Sequence, residues 1–242
     1  MESISTGFVT FPLGNGLLHT DNDGNFQTLI FGFAPANTVD LPAAHTHFGV
    51  VVSGDIEVIY PGRRRWLEAG DFFSVQGAAQ VISNTGTGLV TSAYGYLGLN
   101  VFGGQIEEQG RLRYIDGCTD TLLVPPVRKG DPCLNHLHFP KRITQTPHTH
   151  PSVRTGIVYR GEGECVVPNT VAAIPLRPGN AFVIRTNTVH SFNTTSSEMD
   201  VIAFHPDSDT GVTDDDHPMV NRTIVDGVSA RSIAHIRTRP DR

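Results

Sequence analysis

The sequence predicts an all-β protein built as two tandem β-barrels. Three observations carry that expectation. The 242 residues include 25 glycines and 16 prolines, but only 17% are charged. That balance favours many short strands and turns over long helices. Short apolar alternations recur, as in Ile56, Val58 and Tyr60 or Met199, Val201 and Ala203, the pattern of strands with one buried face. The third observation is a long-period internal repeat.

From Phe31 the first half reads FGFAPANTVDLPAAHTHFGVVVSGDIEVIYPG, then LEAGDFFSVQGAAQVISN. From His138 the second reads HFPKRITQTPHTHPSVRTGIVYRGEGECVVP, then LRPGNAFVIRTNTVHSFN. Each has a His-Thr-His, an apolar strand, a glycine turn, a second strand, and a Gly-Asp or Gly-Asn turn into a third. A separation of about one hundred residues is too long for a solenoid and fits two copies of one barrel. The expected division is an N-terminal barrel over 1–105, a linker over 106–133, a C-terminal barrel over 134–210 and an extension over 211–242. Within the linker, Pro125-Pro126 cannot lie inside a helix or a central strand. The extension begins near five aspartates between Asp207 and Asp216. The ligand order of an EF-hand loop is absent, so a solvated or capping loop is expected there. Val228 to Ile236 is expected to form one short helix.

The chemistry is expected at His148, His150 and His190. Histidines at i and i+2 on a strand project to one face, and a third from a neighbouring strand can converge on them. Three neutral imidazoles around one point suit a divalent first-row metal. The first half offers His45 and His47 but has no histidine from 48 to 135. The position matching His190 falls near Gln80 or Val81. That barrel is expected to lack a comparable metal site and to be mainly structural, with His45 and His47 as hydrogen-bonded residues.

The paired segments resemble the two motifs of the cupin superfamily. His148, His150 and Gly161 fall at the positions of the first motif, with Arg154 where the family has a glutamate. Gly179 and His190 match the second, with Arg185 and Asn187 replacing its proline and glycine and Asn193 one residue early. Over roughly residues 10–210 the arrangement resembles that of the bicupins. The resemblance implies β-barrels with a metal held inside one of them by the histidines.

Arg154 cannot ligate a cation. Pointing inward, it would call for an anion between itself and the metal, such as a bidentately held carboxylate; pointing outward, it would leave a plain three-His site. Arg160 and Arg185 carry the same two readings. His136 and His138 share a strand face with Leu134 and are read as lining the same cavity, positioning substrate. Alternatively, Leu137 and Phe139 on the opposite face define the core. Tyr159, Phe182, Phe192 and Phe204 are read as core residues, and Glu162 and Glu164 as surface. Cys165 has no adjacent base that would mark a nucleophile.

The function expected from this set is that of a mononuclear non-haem Fe(II) dioxygenase. Three histidines leave about three positions open on an octahedral ion, and the three-His cupins without the glutamate that the chain resembles include thiol, diketone and gentisate-type dioxygenases, the last of them bicupins. The substrate is expected to be a small, anionic, metal-chelating molecule. The alternatives are a Zn, Mn or Ni site serving an isomerase, decarboxylase or hydrolase, or a binding module in which the metal only anchors a ligand. The net charge of -6, with Arg63-Arg64-Arg65 and Arg237-Thr238-Arg239 as short isolated runs, gives no basic face for nucleic acid. No segment has the apolar length of a membrane span. The start, MESISTGFVTFPLGNG, lacks the basic and apolar regions of a secretory signal. Three cysteines form no even disulfide framework. A reduced, cytoplasmic protein, able to form a homo-oligomer, is the expectation.

Overall fold

The computed structural model describes residues 7–22, 27–168 and 172–238. Its strands run, in the first half, β1 (Phe8–Pro12), β2 (Gly16–Asp21), β3 (Thr28–Phe33), β4 (Asn37–Leu41), β5 (His45–Ser53), β6 (Asp55–Tyr60), β7 (Arg63–Glu68), β8 (Phe72–Gln76), β9 (Ala79–Ser83), β10 (Thr87–Tyr94) and β11 (Val101–Gly103). The second half adds β12 (Leu112–Arg113), β13 (Thr119–Val124), β14 (Cys133–Phe139), β15 (Arg154–Gly161), β16 (Gly163–Val166), β17 (Ile174–Leu176), β18 (Asn180–Ile184), β19 (Ser191–Asn193) and β20 (Met199–His205). The chain is all-β, as its composition predicts.

Each half pairs a large sheet with a small one. The first combines the order β11-β8-β5-β10-β3-β2 with β4-β9-β6-β7. The second combines β1-β18-β15-β20-β14-β13-β12 with β17-β16-β19. Alternation explains the packing. On β6, Ile56, Val58 and Tyr60 turn into a core shared with Phe33, Val51, Phe73 and Val81. On β20, Met199, Val201 and Ala203 turn into a second core with Phe139, Phe182 and Phe192. The opposite face of β20 is buried too. Ile202 and Phe204 pack with Phe48, Val50 and Leu89 of the first half. The two large sheets therefore lie back to back, with Phe48 and Phe204 rings 5.1 Å apart.

Sheet membership does not follow the expected domain boundaries. Strand β1 pairs with β18, Phe8 opposite Ile184 and Pro12 opposite Asn180, and Phe8 is fully buried in the second half's core. In the stretch expected to be a linker, β12 and β13 extend the second large sheet through β14. Apolar Leu123 and Val124 pack this segment against the core before Pro125-Pro126 ends it.

The tail also differs from expectation. In place of one helix, Val228 to Ile236 forms a strand residue pair and two 3₁₀ turns, Ala230–Ser232 and Ala234–Ile236. Gly227 at φ +80° forces a hairpin just before it. The one α-helix among the described residues is Pro218–Arg222. Among the described residues, no helix is long and apolar enough to cross a membrane. Arg63, Arg64 and Arg65 are exposed on the edge strand β7. Arg239 and residues 1–6 lie outside the described residues. Cys118, Cys133 and Cys165 are buried and free.

Candidate metal centre

The segment Pro147-His148-Thr149-His150-Pro151 was expected on a strand, but it is not part of a ladder. Proline has no N–H to donate, so prolines on both sides stop pairing, and regular structure resumes at Arg154. His148 is held by an isolated bridge to His190, with N–H to carbonyl bonds of 3.0 Å in both directions. The peptide N–H of Asn187 donates to the carbonyl of His150 at 2.8 Å. These three bonds lock the two histidine segments together.

The motif departures have physical reasons. Asn187 stands where the family has glycine and adopts φ +58°, a left-handed conformation asparagine tolerates. Arg185 stands where the family has proline, and its N–H donates to the carbonyl of Gly7 at 2.8 Å. Proline could not make this bond, which seats β1. Gly161 keeps φ +70°, and a Cβ there would collide with the carbonyl of Glu198.

The three imidazoles converge. Their ring centroids are 4.6 Å (His148–His190), 5.0 Å (His148–His150) and 5.1 Å (His150–His190) apart. One nitrogen from each lies within 4.8 Å of the others. His148 Nδ1 donates to the carbonyl of Thr146 and His190 Nδ1 to that of Thr188, both at 2.9 Å. A carbonyl only accepts, so in each ring Nδ1 carries the proton and Nε2 keeps its lone pair. His190 Nε2 is buried without a partner among the described residues. Backbone carbonyls that orient ligating imidazoles are the usual outer support of a metal. The donor set and the orphaned nitrogen therefore fit a divalent ion. Burial, with the charges of Arg154, His190 and His148 added, lowers the His150 pKa to about 3. Burial also lowers His190 to about 4, against the opposing Thr188 hydrogen bond. Both side chains stay neutral, the form that ligates.

The histidines open on a cavity of about 260 Å³. Leu137, Phe139, Phe182, Ile184 and Phe192 supply its apolar wall. Arg154 faces it, so the inward reading holds for that residue. Its Nη1 bonds Ser152 and Asp207, the latter at 3.3 Å. Its buried Nε has no partner among the described residues. The guanidinium thus reaches the cavity partly neutralised.

His136 and His138 are elsewhere. On β14 it is Asn135, Leu137 and Phe139 that line the cavity. Strand alternation turns Leu134, His136 and His138 to the other face, against the first half. There His136 Nε2 and His138 Nδ1 meet one oxygen of Asp200 at 2.7 and 3.0 Å. Arg160 Nε donates to the other oxygen at 2.6 Å. Arg160 thus belongs to this network and not to the cavity. Two histidines and an arginine hold the Asp200 carboxyl below its usual range despite burial.

A fourth cavity histidine escaped the sequence reading. His205 ends β20, its ring 6.4 Å from that of His150. It continues the inward series Met199, Val201, Ala203, and this phase was the signal that marked it. Burial, then the charges of Arg154 and His150, keep it well below the ordinary histidine pKa. In the first half, His47 is fully buried, with Nδ1 on Ser92 Oγ at 2.6 Å and Nε2 on the carbonyls of Pro42 and Gly77 at 3.0 Å each. No residue of the first half joins a metal-competent group among the described residues.

No protein-family model matches the chain, and no curated protein matches its sequence. Solved structures do resemble it. A putative glyoxylate-induced protein from Pseudomonas aeruginosa is 14% identical, covering 88% of this chain and 93% of its own, with a TM-score of 0.63. A cupin 2 conserved barrel domain protein from Leptotrichia buccalis is 16% identical over 84% and 91%, with a TM-score of 0.56. Salicylate 1,2-dioxygenase from Pseudoaminobacter salicylatoxidans, solved as adducts with gentisate, is 13% identical over 75% and 68%, with a TM-score of 0.57. Likeness at these identities speaks for architecture alone, and the architecture is the all-β cupin fold.

Proposed function

We propose that the protein is a metal-dependent enzyme, a mononuclear non-haem Fe(II) dioxygenase acting on a small anionic substrate that chelates the metal. The observation that carries this is the convergence of one ring nitrogen from each of three histidines, with Nε2 left free in His148 and His190 by backbone carbonyls on the far ring nitrogen. His148, His150 and His190 would hold the ion, which when bound supplies open coordination positions and, as iron, redox chemistry with dioxygen. The absence of a carboxylate from the trio leaves the centre cationic. Arg154 adds to the pull on an anion, tempered by Asp207. The phenyl and aliphatic wall excludes water around the reacting substrate and strengthens these attractions. The salicylate dioxygenase neighbour, solved as adducts with gentisate, supports an aromatic acid as the substrate type.

A non-redox reading with Zn, Mn or Ni rests on one observation. Asp120 also lines the cavity, and burial raises its carboxyl pKa against the hydrogen bond from Asn135. Such a carboxylate is a candidate general base for an isomerase or decarboxylase. Anaerobic loading with ferrous iron, followed by oxygen uptake with a panel of hydroxybenzoates, separates the readings. Uptake that depends on both iron and acid is expected. Turnover without oxygen consumption, or with zinc as well as with iron, would favour the non-redox enzyme. Binding without turnover would leave an anchoring module.

A further inference from the structure

The three imidazoles of the candidate metal centre are not braced alike. His148 and His190 each place Nδ1 on the carbonyl two residues back, that of Thr146 and that of Thr188. For His150 the corresponding carbonyl is that of His148. It is taken by the bridge between the two histidine segments, where it accepts the N–H of His190 at 3.0 Å. Neither ring nitrogen of His150 has a hydrogen-bond partner among the described residues. A ligating histidine almost always gives its other ring N–H to an acceptor, which fixes the ring and makes it a better ligand. His150 therefore needs an acceptor from elsewhere in the cavity.

His205 is the group in position. It lines the cavity with His150, 6.4 Å from ring to ring and with 31° between the ring planes. Thr155 stands opposite Phe204, so the same register sets His205 beside Arg154. The other neighbours are unsuited. Arg154 has donors only. The charges that act on His150 are those of Arg154, His190 and His148, with no carboxylate among them. One oxygen of Asp207 is held by both Ser152 and Arg154. His205 is kept neutral by burial, then by the charges of Arg154 and His150, and a neutral imidazole offers one lone pair as well as one N–H. Two imidazoles joined directly stand about 5 Å apart between centres, and joined through one water about 6–7 Å. The observed 6.4 Å matches the second arrangement.

Resting on the metal-site reading, we infer that His205 is a positioning residue for the metal: it takes the outer ring proton of His150 through one water. It supplies from β20 the brace that backbone carbonyls give to His148 and His190. The three ligands are then each held from behind, two by main chain and one by a side chain.

The test compares His205→Leu and His205→Phe, which remove the acceptor, with His205→Gln, whose amide oxygen keeps one. Cobalt(II) affinity is measured by competition with a chelator, and the visible spectrum of the cobalt-loaded protein is recorded. The apolar variants should lose about ten- to a hundred-fold in affinity and shift the cobalt bands. The melting temperature of the metal-stripped protein should stay at the wild-type value in whichever of the two carries the comparison. His205→Gln should recover most of the lost affinity and the wild-type bands. Unchanged affinity in the apolar variants, no recovery with glutamine, or failure of both apolar variants to fold would each overturn the assignment and leave metal binding by the trio as it stands. Wild-type protein that binds no cobalt would overturn the metal-site reading itself, and this inference with it.

Discussion

In the first half, His45-Thr46-His47 opens a nine-residue strand paired on both sides, His47 opposite Val75 on β8 and Ser92 on β10. In the second, His148-Thr149-His150 stands between two prolines, outside any ladder. The two tripeptides are not structural counterparts. His47 lies seven residues before the turn glycine Gly54, and His150 eleven before Gly161. Arg154 lies seven before Gly161, and it pairs with Ile184, five past the left-handed Gly179. His47 pairs with Val75, five past the left-handed Gly70. By register, Arg154 is the equivalent of His47. The second half thus carries its histidines one step beyond the sheet, where no ladder competes for them. The first half keeps His47 within the sheet, and protein groups take up both of its ring nitrogens. His47 is a tie in one place and His190 an open donor in the other, while His45, against the hydrogen-bonded expectation, is buried with neither ring nitrogen partnered among the described residues.

The largest expected effect is at His190. His190→Ala should reduce bound metal from one ion per chain to a small fraction, measured by elemental analysis. Replacing both His45 and His47 should leave metal content near wild type. A halving in that double variant would show that the halves are more alike than their hydrogen bonds indicate.

The second effect is on acid stability. Burial holds His47 neutral down to about 4, although its backbone hydrogen bonds oppose the shift. In the unfolded chain the value returns to about 6.5. Between these values the unfolded state binds the extra proton, so stability rises with pH. The contribution is complete above about 6.5 and is lost as pH falls toward 4, by up to ~3 kcal/mol. His47→Gln should flatten this part of the profile in urea titrations, compared with wild type at equal metal content. An unaltered slope from pH 4 to 6.5 would count against His47 as the buried tie.

The third and smallest effect concerns Arg154, the register equivalent of that tie. Arg154→Leu should leave metal content intact and weaken an anionic ligand by ~1.5–3 kcal/mol, one to two decades in Kd. If Arg154→Glu instead tightens metal binding without harming turnover, the arginine does not hold the substrate.

The convergence of the histidine trio was legible in the sequence because chemistry and spacing both point to it. The parity of β14 was not. Both faces of that strand are buried, one against the cavity and one against the other half, so apolar alternation cannot say which is which. His136 and His138 were assigned to the wrong face for that reason. The placement of β1 was beyond local reading, because its ladder joins residues far apart in the chain.

That ladder has a consequence for how the molecule is made. Pro12 and its partner Asn180 are 168 residues apart. Synthesis proceeds at about 5–20 residues per second, so β1 leaves the ribosome roughly ten to thirty seconds before the strand it must join. Through that interval Phe8 and its neighbours have no core to enter. On the other side of the wait, β18 emerges with one edge bare, open to any extended segment nearby. A strand made long before its partner is fastened only after that partner appears, and the cavity wall formed by Phe182 and Ile184 is completed only when the two meet.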